Sequence, residues 1–154
     1  PSQPELAIGA IASGNIVVQE PQAALYSSLS AQKFQQLVQR ERIQLARRER
    51  LYRHGIGPLE LAGKAIVLVD DGLATGATML AAARAARAAG AKRITVAAPV
   101  ASSEAVARLR DVADELLILE IPPMFMAVGE WYEQFAQTSD EEVQELLRLA
   151  AHEN

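Results

Sequence analysis

The chain contains no cysteine. That excludes a disulfide framework and any thiolate metal site, and it fits a cytoplasmic setting. It has only two histidines, His54 and His152, far apart in sequence and without other ligand-type neighbours. They read as surface or loop residues, so no metal centre held by the protein alone is expected. Excess positive charge is also lacking: the net charge is -4, which argues against general nucleic-acid binding. No apolar run is long enough to span a bilayer, and no signal peptide is visible, so no membrane role is expected. Internal repeats and low-complexity tracts are absent. No nucleophile–His–Asp arrangement is readable.

What remains is an ordinary globular composition. Half of the 154 residues are hydrophobic and 22% are charged, enough for one domain over 1–154 with a sizeable core. The first residue is Pro1 rather than Met. The expectation is therefore a chain that is processed, cleaved or part of a longer product.

Read in order, "ELAIGAIASGNIVVQ" gives two short strands around a turn at Ser13-Gly14-Asn15. Ser30 then offers an N-cap to the segment 31–53, where Phe34, Leu37, Val38, Leu45 and Leu51 form a helical stripe. "HGIGPLELAG" is a loop. "KAIVLVD" reads as a strand, "TMLAAARAARAAG" as an alanine-rich helix ended by Gly90, and "KRITVAAPV" as a second apolar strand. "SSEAVARLRDVA" is a short amphipathic helix capped at Ser102-Ser103, and "DELLILEI" a third apolar strand. A last helix starts at Ser139, which forms a capping box with Glu142. Continuous apolar strands alternating with helices predict an α/β fold, a parallel sheet with helices on both faces. Ligands in such sheets sit beyond the carboxyl ends of the strands.

At that end of the first apolar strand stands "IVLVDDGLATGAT", residues 66–78. Asp70 and Asp71 open a loop of the form Gly-x-x-Thr-Gly-x-Thr that leads into a helix. Helix N-termini carry unpaired N–H groups and a partial positive charge, Gly72 and Gly76 permit close approach, and Thr75 and Thr78 add hydroxyls. Together they suit a phosphate. The loop has no lysine, so it is not a Walker loop, and it lacks the G-x-G-x-x-G of dinucleotide folds. The carboxylate pair must face something that tolerates it. A sugar diol is one candidate, through charge-assisted hydrogen bonds, and Mg2+ is another. A ribose 5-phosphate unit carries a monoester at one end and a diol at the other. The bland reading is a plain strand-to-helix connection in which an Asp caps the helix.

"VLVDDGLATGAT" resembles the PRPP-binding motif of type I phosphoribosyltransferases. The resemblance is strongest over 64–100. More loosely, "PELAIGAIASG" and "AVGEWYEQF" resemble segments of a little-characterised bacterial group of phosphoribosyltransferase-like proteins. The resemblance implies a type I phosphoribosyltransferase-like fold. It also implies ribose hydroxyls on Asp70 and Asp71, and the 5-phosphate on Ala74, Thr75, Gly76, Ala77 and Thr78. The implied reaction moves a 5-phosphoribosyl group from PRPP to a nucleobase-like acceptor, with release of pyrophosphate and with Mg2+ as cofactor. Hypoxanthine and guanine enzymes of the family carry an Asp base where this chain has Ala74; "LATG" is closer to the adenine and uracil enzymes. The family's pyrophosphate-gripping loop has no match here and is expected to be lacking from the domain.

Phe125, Trp131 and Tyr132 follow the third strand, where the family stacks its base; they could equally fill a core or a subunit contact. Arg40, Arg42, Arg47, Arg48, Arg50 and Arg53 could meet pyrophosphate. A solvated helix face with Glu41 and Glu49 as local partners is the simpler reading. The expected partners are a small molecule (PRPP, a nucleobase or a nucleotide) and further copies of the chain, since an open sheet edge tends to pair. Two readings from other classes stand beside the enzyme: a non-catalytic PRPP- or nucleotide-binding regulator, and an incomplete chain with a structural or assembly role.

Overall fold

The computed structural model describes residues 9–12, 16–19, 31–52 and 60–152. The elements are β1 (Gly9–Ala12), β2 (Ile16–Gln19), α1 (Ala31–Tyr52), β3 (Ala65–Val69), α2 (Ala77–Ala88), β4 (Arg93–Val100), α3 (Ser103–Leu109), β5 (Glu115–Glu120), a 3-10 turn (Val128–Trp131) and α4 (Asp140–His152). The expected turn at Ser13-Gly14-Asn15, the Ser30 cap, Arg53 and His54 lie outside the described residues.

β3, β4 and β5 form a parallel sheet in that spatial order, with Val67 opposite Thr95 and Ala97 opposite Leu117. The α/β, parallel-sheet reading is thus borne out. Alternation along β4 decides where the core lies. Ile94, Val96, Ala98 and Val100 are buried, and side chains two apart share one face of a strand. On that face Leu68, Leu116 and Ile118 join Leu80 and Ala81 of α2 and Val106 and Leu109 of α3. Alanines at 81, 83 and 86 let α2 settle close on the strands. α2 ends in a Schellman turn: Gly90 has φ 85, its N–H donates to Arg87 O, and that of Ala91 donates to Ala86 O.

β1 and β2 form an antiparallel pair, Gly9 opposite Gln19 and Ala12 opposite Ile16. Ala10 and Val18 of this ribbon pack into the same core as α2. The predicted stripe of α1 is present, with Val38 buried and Phe34, Leu37, Leu45 and Leu51 half-buried. The Tyr52 hydroxyl donates to Asp140 at 2.5 Å and ties α1 to α4. Ser139 accepts the Glu142 N–H at 3.2 Å, as the capping box requires. The other face of the three-stranded sheet is apolar but left open by the described residues: Val69 is 74% and Leu119 81% exposed. No helix among the described residues is long and apolar enough to cross a membrane.

Arg87 clamps the end of the sheet opposite the carboxyl termini. Its guanidinium meets Asp114 at 2.7 Å and Ala91 O at 3.2 Å, while Asp114 also accepts the Ile94 N–H at 2.7 Å. These donors hold the Asp114 carboxyl below its ordinary 3.8, with the Arg87 hydrogen bond the larger cause. A depressed carboxylate adds stability that is present above 3.8 and is lost as pH falls through the folded value. Asp114→Asn is therefore expected to lower stability at neutral pH, and the difference from the unaltered chain is expected to vanish in acid. Urea titrations at several pH values check this.

Candidate functional site

Beyond the carboxyl end of β3 the chain stays bound to β4 for a few residues. The Asp70 N–H donates to Ala97 O at 3.2 Å and the Leu73 N–H to Val100 O at 3.0 Å. Leu73 bridges to Ala101 and is only 2% exposed, so it pins the middle of the loop to the core. Asp70 and Asp71 precede this pin. Asp70 is half-buried and accepts the Asp71 N–H at 3.0 Å; Asp71 is exposed. Burial is the first cause that raises the Asp70 carboxyl above its ordinary 3.8, and the neighbouring Asp71 charge adds to it. The Asp71 N–H pulls the other way. A carboxylate held half out of water beside a second one is costly for the free protein, which is typical of groups kept for a ligand.

After Leu73 the loop turns into α2 through Gly76, whose φ is 70. That left-handed angle favours glycine, and there is little room besides: a Cβ at Gly76 would lie 3.1 Å from Ala105 Cβ and 3.2 Å from Ala105 Cα. Ala74 and Thr78 are exposed, Thr75 is half-buried, and Ala77 is buried. The Thr75 hydroxyl accepts the Ala77 N–H at 3.3 Å and covers the first amide of the helix.

Hydrogen bonding along the loop is one-sided. Its carbonyls are occupied. Asp71 O accepts from the Tyr132 hydroxyl at 2.7 Å, Leu73 O from the Ser102 N–H at 2.9 Å, and Ala74 O from the Ser102 hydroxyl at 2.5 Å. Thr75 O accepts from the Arg108 guanidinium at 2.9 Å, and Gly76 O from the Leu80 N–H at 2.8 Å. By contrast, the N–H groups of Gly72, Ala74, Thr75 and Gly76 have no hydrogen-bond partner among the described residues. Backbone donors are rarely left unpaired beside buried structure. A run of spare donors with all acceptors engaged is a seat for an anion.

Above the pair lies the segment that follows β5. A Cβ at Gly72 would come within 2.5 Å of Val128 Cγ1, so the 3-10 turn rests directly on the loop. Tyr132 reaches Asp71 through its hydroxyl and stacks at 5.3 Å on Phe135. Of the aromatics singled out in the sequence, Tyr132 is thus brought to the acidic pair. Trp131, the residue before it, is 45% exposed, and Phe125 is half-buried. The Arg side chains at 40, 47, 48 and 50 lie along α1, mostly exposed, in keeping with the solvated-face reading. A cleft of about 870 Å³ between β1, α1 and α2, lined by Leu45, Tyr52 and Ala82, touches the loop at Thr78.

Sequence reasoning missed three contacts: Arg108, the second role of Ser102, and the Tyr132 hydroxyl. Ser102 was legible as the α3 cap, and it does accept the Ala105 N–H at 3.0 Å. Its donation to the loop carried no signal in the sequence, and neither did the reach of Arg108 to Thr75.

Comparison with known proteins agrees with this picture. A profile of the family described as Phosphoribosyl transferase domain matches residues 26–142. Two Mycobacterium tuberculosis proteins, from strains CDC 1551 / Oshkosh and H37Rv, carry the provisional name phosphoribosyl transferase. Each is 41% identical over 150 residues, which are 97% of this chain and 34% of theirs. The chain thus spans about a third of the length of these curated relatives. The crystal structure of TT1426 from Thermus thermophilus matches with a TM-score of 0.67 at 38% identity, over 96% of this chain and 69% of that one.

Proposed function

The chain belongs to the phosphoribosyl transferase domain family, and from that premise we propose that the loop after β3 seats a ribose 5-phosphate unit, as part of PRPP or of a nucleoside monophosphate. The observation that carries the reading is the one-sided loop, with its spare N–H groups, set directly after two carboxylates. The N–H groups of Ala74, Thr75 and Gly76, the Ala77 end of α2 and the Thr78 hydroxyl receive the phosphate. Asp70 and Asp71 accept from the vicinal hydroxyls of the sugar.

Held at both ends, the ribose leaves its anomeric carbon free to react. The proposed reaction breaks the bond from that carbon to a pyrophosphate oxygen and forms one to a ring nitrogen of a nucleobase-like acceptor. Pyrophosphate leaves with the electron pair, and the acceptor nitrogen gives up its proton to solvent. The protein's share is orientation of the two reactants. Carboxylates beside the anomeric carbon also favour the positive charge that develops there. Two hard-oxygen side chains suit Mg2+, which in this family's chemistry neutralises the leaving pyrophosphate. Among the described residues no group of three or more His, Cys, Asp or Glu gathers round a point, so substrate oxygens and water would complete its shell. Phe125, Trp131 and Tyr132 are proposed to border the acceptor, Tyr132 by virtue of its tie to Asp71.

Release of pyrophosphate from PRPP and Mg2+, followed with a panel of purine and pyrimidine bases, tests the transferase. Turnover with one class of base is the expected result. A second reading, a PRPP- or nucleotide-binding regulator, is favoured by Ala74, which stands where related enzymes carry an acidic base. Tight binding with no turnover on any base would select it. Self-association belongs to the same proposal. A parallel sheet is normally covered on both faces, and exposed Val69 and Leu119 give a second copy something to bury. Light scattering is expected to find more than a monomer.

A further inference from the structure

Resting on that reading, the geometry points to Ser102 and Arg108 as positioning residues that aim the phosphate seat from behind. In a trans peptide the C=O and the following N–H point in opposite directions. Fixing a carbonyl therefore fixes the direction of the next amide. Ser102 donates its hydroxyl to Ala74 O at 2.5 Å, which turns the Thr75 N–H the other way. Arg108 donates to Thr75 O at 2.9 Å and does the same for the Gly76 N–H. These two amides are among those with no partner among the described residues.

Both side chains come from α3 or its cap, an element placed by its own buried face of Ala105, Val106 and Leu109. The Ser102 hydroxyl is fully engaged, accepting the Ala105 N–H at 3.0 Å while donating to the loop. Close packing of Gly76 on Ala105 keeps the loop within reach. Helix α3 thus acts as a backplate. Neither residue touches the ligand; each sets the direction of an amide that does. Arg108 has a second effect of the same sign, since its positive charge behind the loop opposes the repulsion between the acidic pair and a phosphate.

Calorimetric titration of the full chain with ribose 5-phosphate tests this, paired with 1H–15N spectra that follow the Thr75 and Gly76 amides. Arg108→Leu and Ser102→Ala are each expected to weaken binding about tenfold, the weight of one well-placed hydrogen bond to a charged group. They should also shrink the ligand-induced movement of those two amide signals at equal saturation, which a loss of mere stability would not do. Ser102→Thr keeps both donor and cap and is expected to bind within about twofold of the unaltered chain, at the level of ordinary context effects. If the unaltered chain binds but both Arg108→Leu and Ser102→Ala bind equally well, the backplate is refuted while the ribose-phosphate reading stands. Should Arg108→Leu not fold, Ser102→Ala decides alone. If the unaltered chain itself fails to bind, both ideas fall together.

Discussion

Replacing Asp70 and Asp71 together by Asn is expected to weaken ribose 5-phosphate binding about 100-fold, from two charge-assisted hydrogen bonds to the diol. The same replacement is expected to raise the melting temperature. The two effects have one cause. The Asp70 carboxyl is raised above 3.8, chiefly by its burial and further by the Asp71 charge. A carboxyl whose folded value is raised costs the folded state nothing below the unfolded value of 3.8. The cost grows as pH rises through the folded value and is complete at neutral pH. Asn removes that cost and the repulsion between neighbours, a trade of stability against function. Titrations across pH sharpen the test. The affinity gap between unaltered and doubly substituted chains should close as pH falls through the raised Asp70 value. The phosphate's own protonation near pH ~6 is common to both chains and drops out of the difference.

Gly76→Ala is the second change with a large expected effect, because it strikes both the backbone angle and the packing. A non-glycine residue at φ 70 costs about 1–2 kcal/mol. The added methyl then presses on Ala105 Cβ at 3.1 Å and on its Cα at 3.2 Å. The loop must lift off α3, and the Gly76 and Thr75 amides lose their aim. A stability loss of about 1–3 kcal/mol and a loss of ribose 5-phosphate affinity of about tenfold or more are expected. Gly63→Ala is the control. Gly63 has φ 73, but a Cβ there meets nothing within 4 Å and it lies at the other end of β3. It should show the strain in denaturation and leave affinity alone. Adding Ala105→Gly to Gly76→Ala should recover part of the lost affinity, since it relieves the contact but not the angle.

Local chemistry made much of this fold legible. The apolar runs of β3, β4 and β5, the alanines of α2, Gly90 as its terminator, and Ser102 and Ser139 as caps are all short-range signals, and each holds within a residue or two. The acidic pair and the Gly/Thr loop were legible for the same reason: residues 70–78 are contiguous, and the site is one turn of chain. What escaped was long-range. Arg108 lies 33 positions from Thr75 and Tyr132 61 from Asp71. Nothing in a single sequence says which carbonyl a distant guanidinium or phenol will find. The sheet was half legible. Val67, Val69, Leu117 and Leu119 read as buried on a second covered face, whereas the described residues cover only the face that holds Leu68, Val96 and Ile118. Periodicity tells which side chains share a face; it does not tell what lies over it.

The central claim is that the loop after β3 is an anion seat whose donors are backbone amides. It is tested most directly by following the amide signals of residues 72–78 while ribose 5-phosphate is added to the unaltered chain. The account predicts saturable shifts concentrated at Thr75, Gly76 and Thr78, lost when ribose without its phosphate is used instead. Shifts confined to other parts of the chain, or none at concentrations far above those of a cellular metabolite, would contradict it.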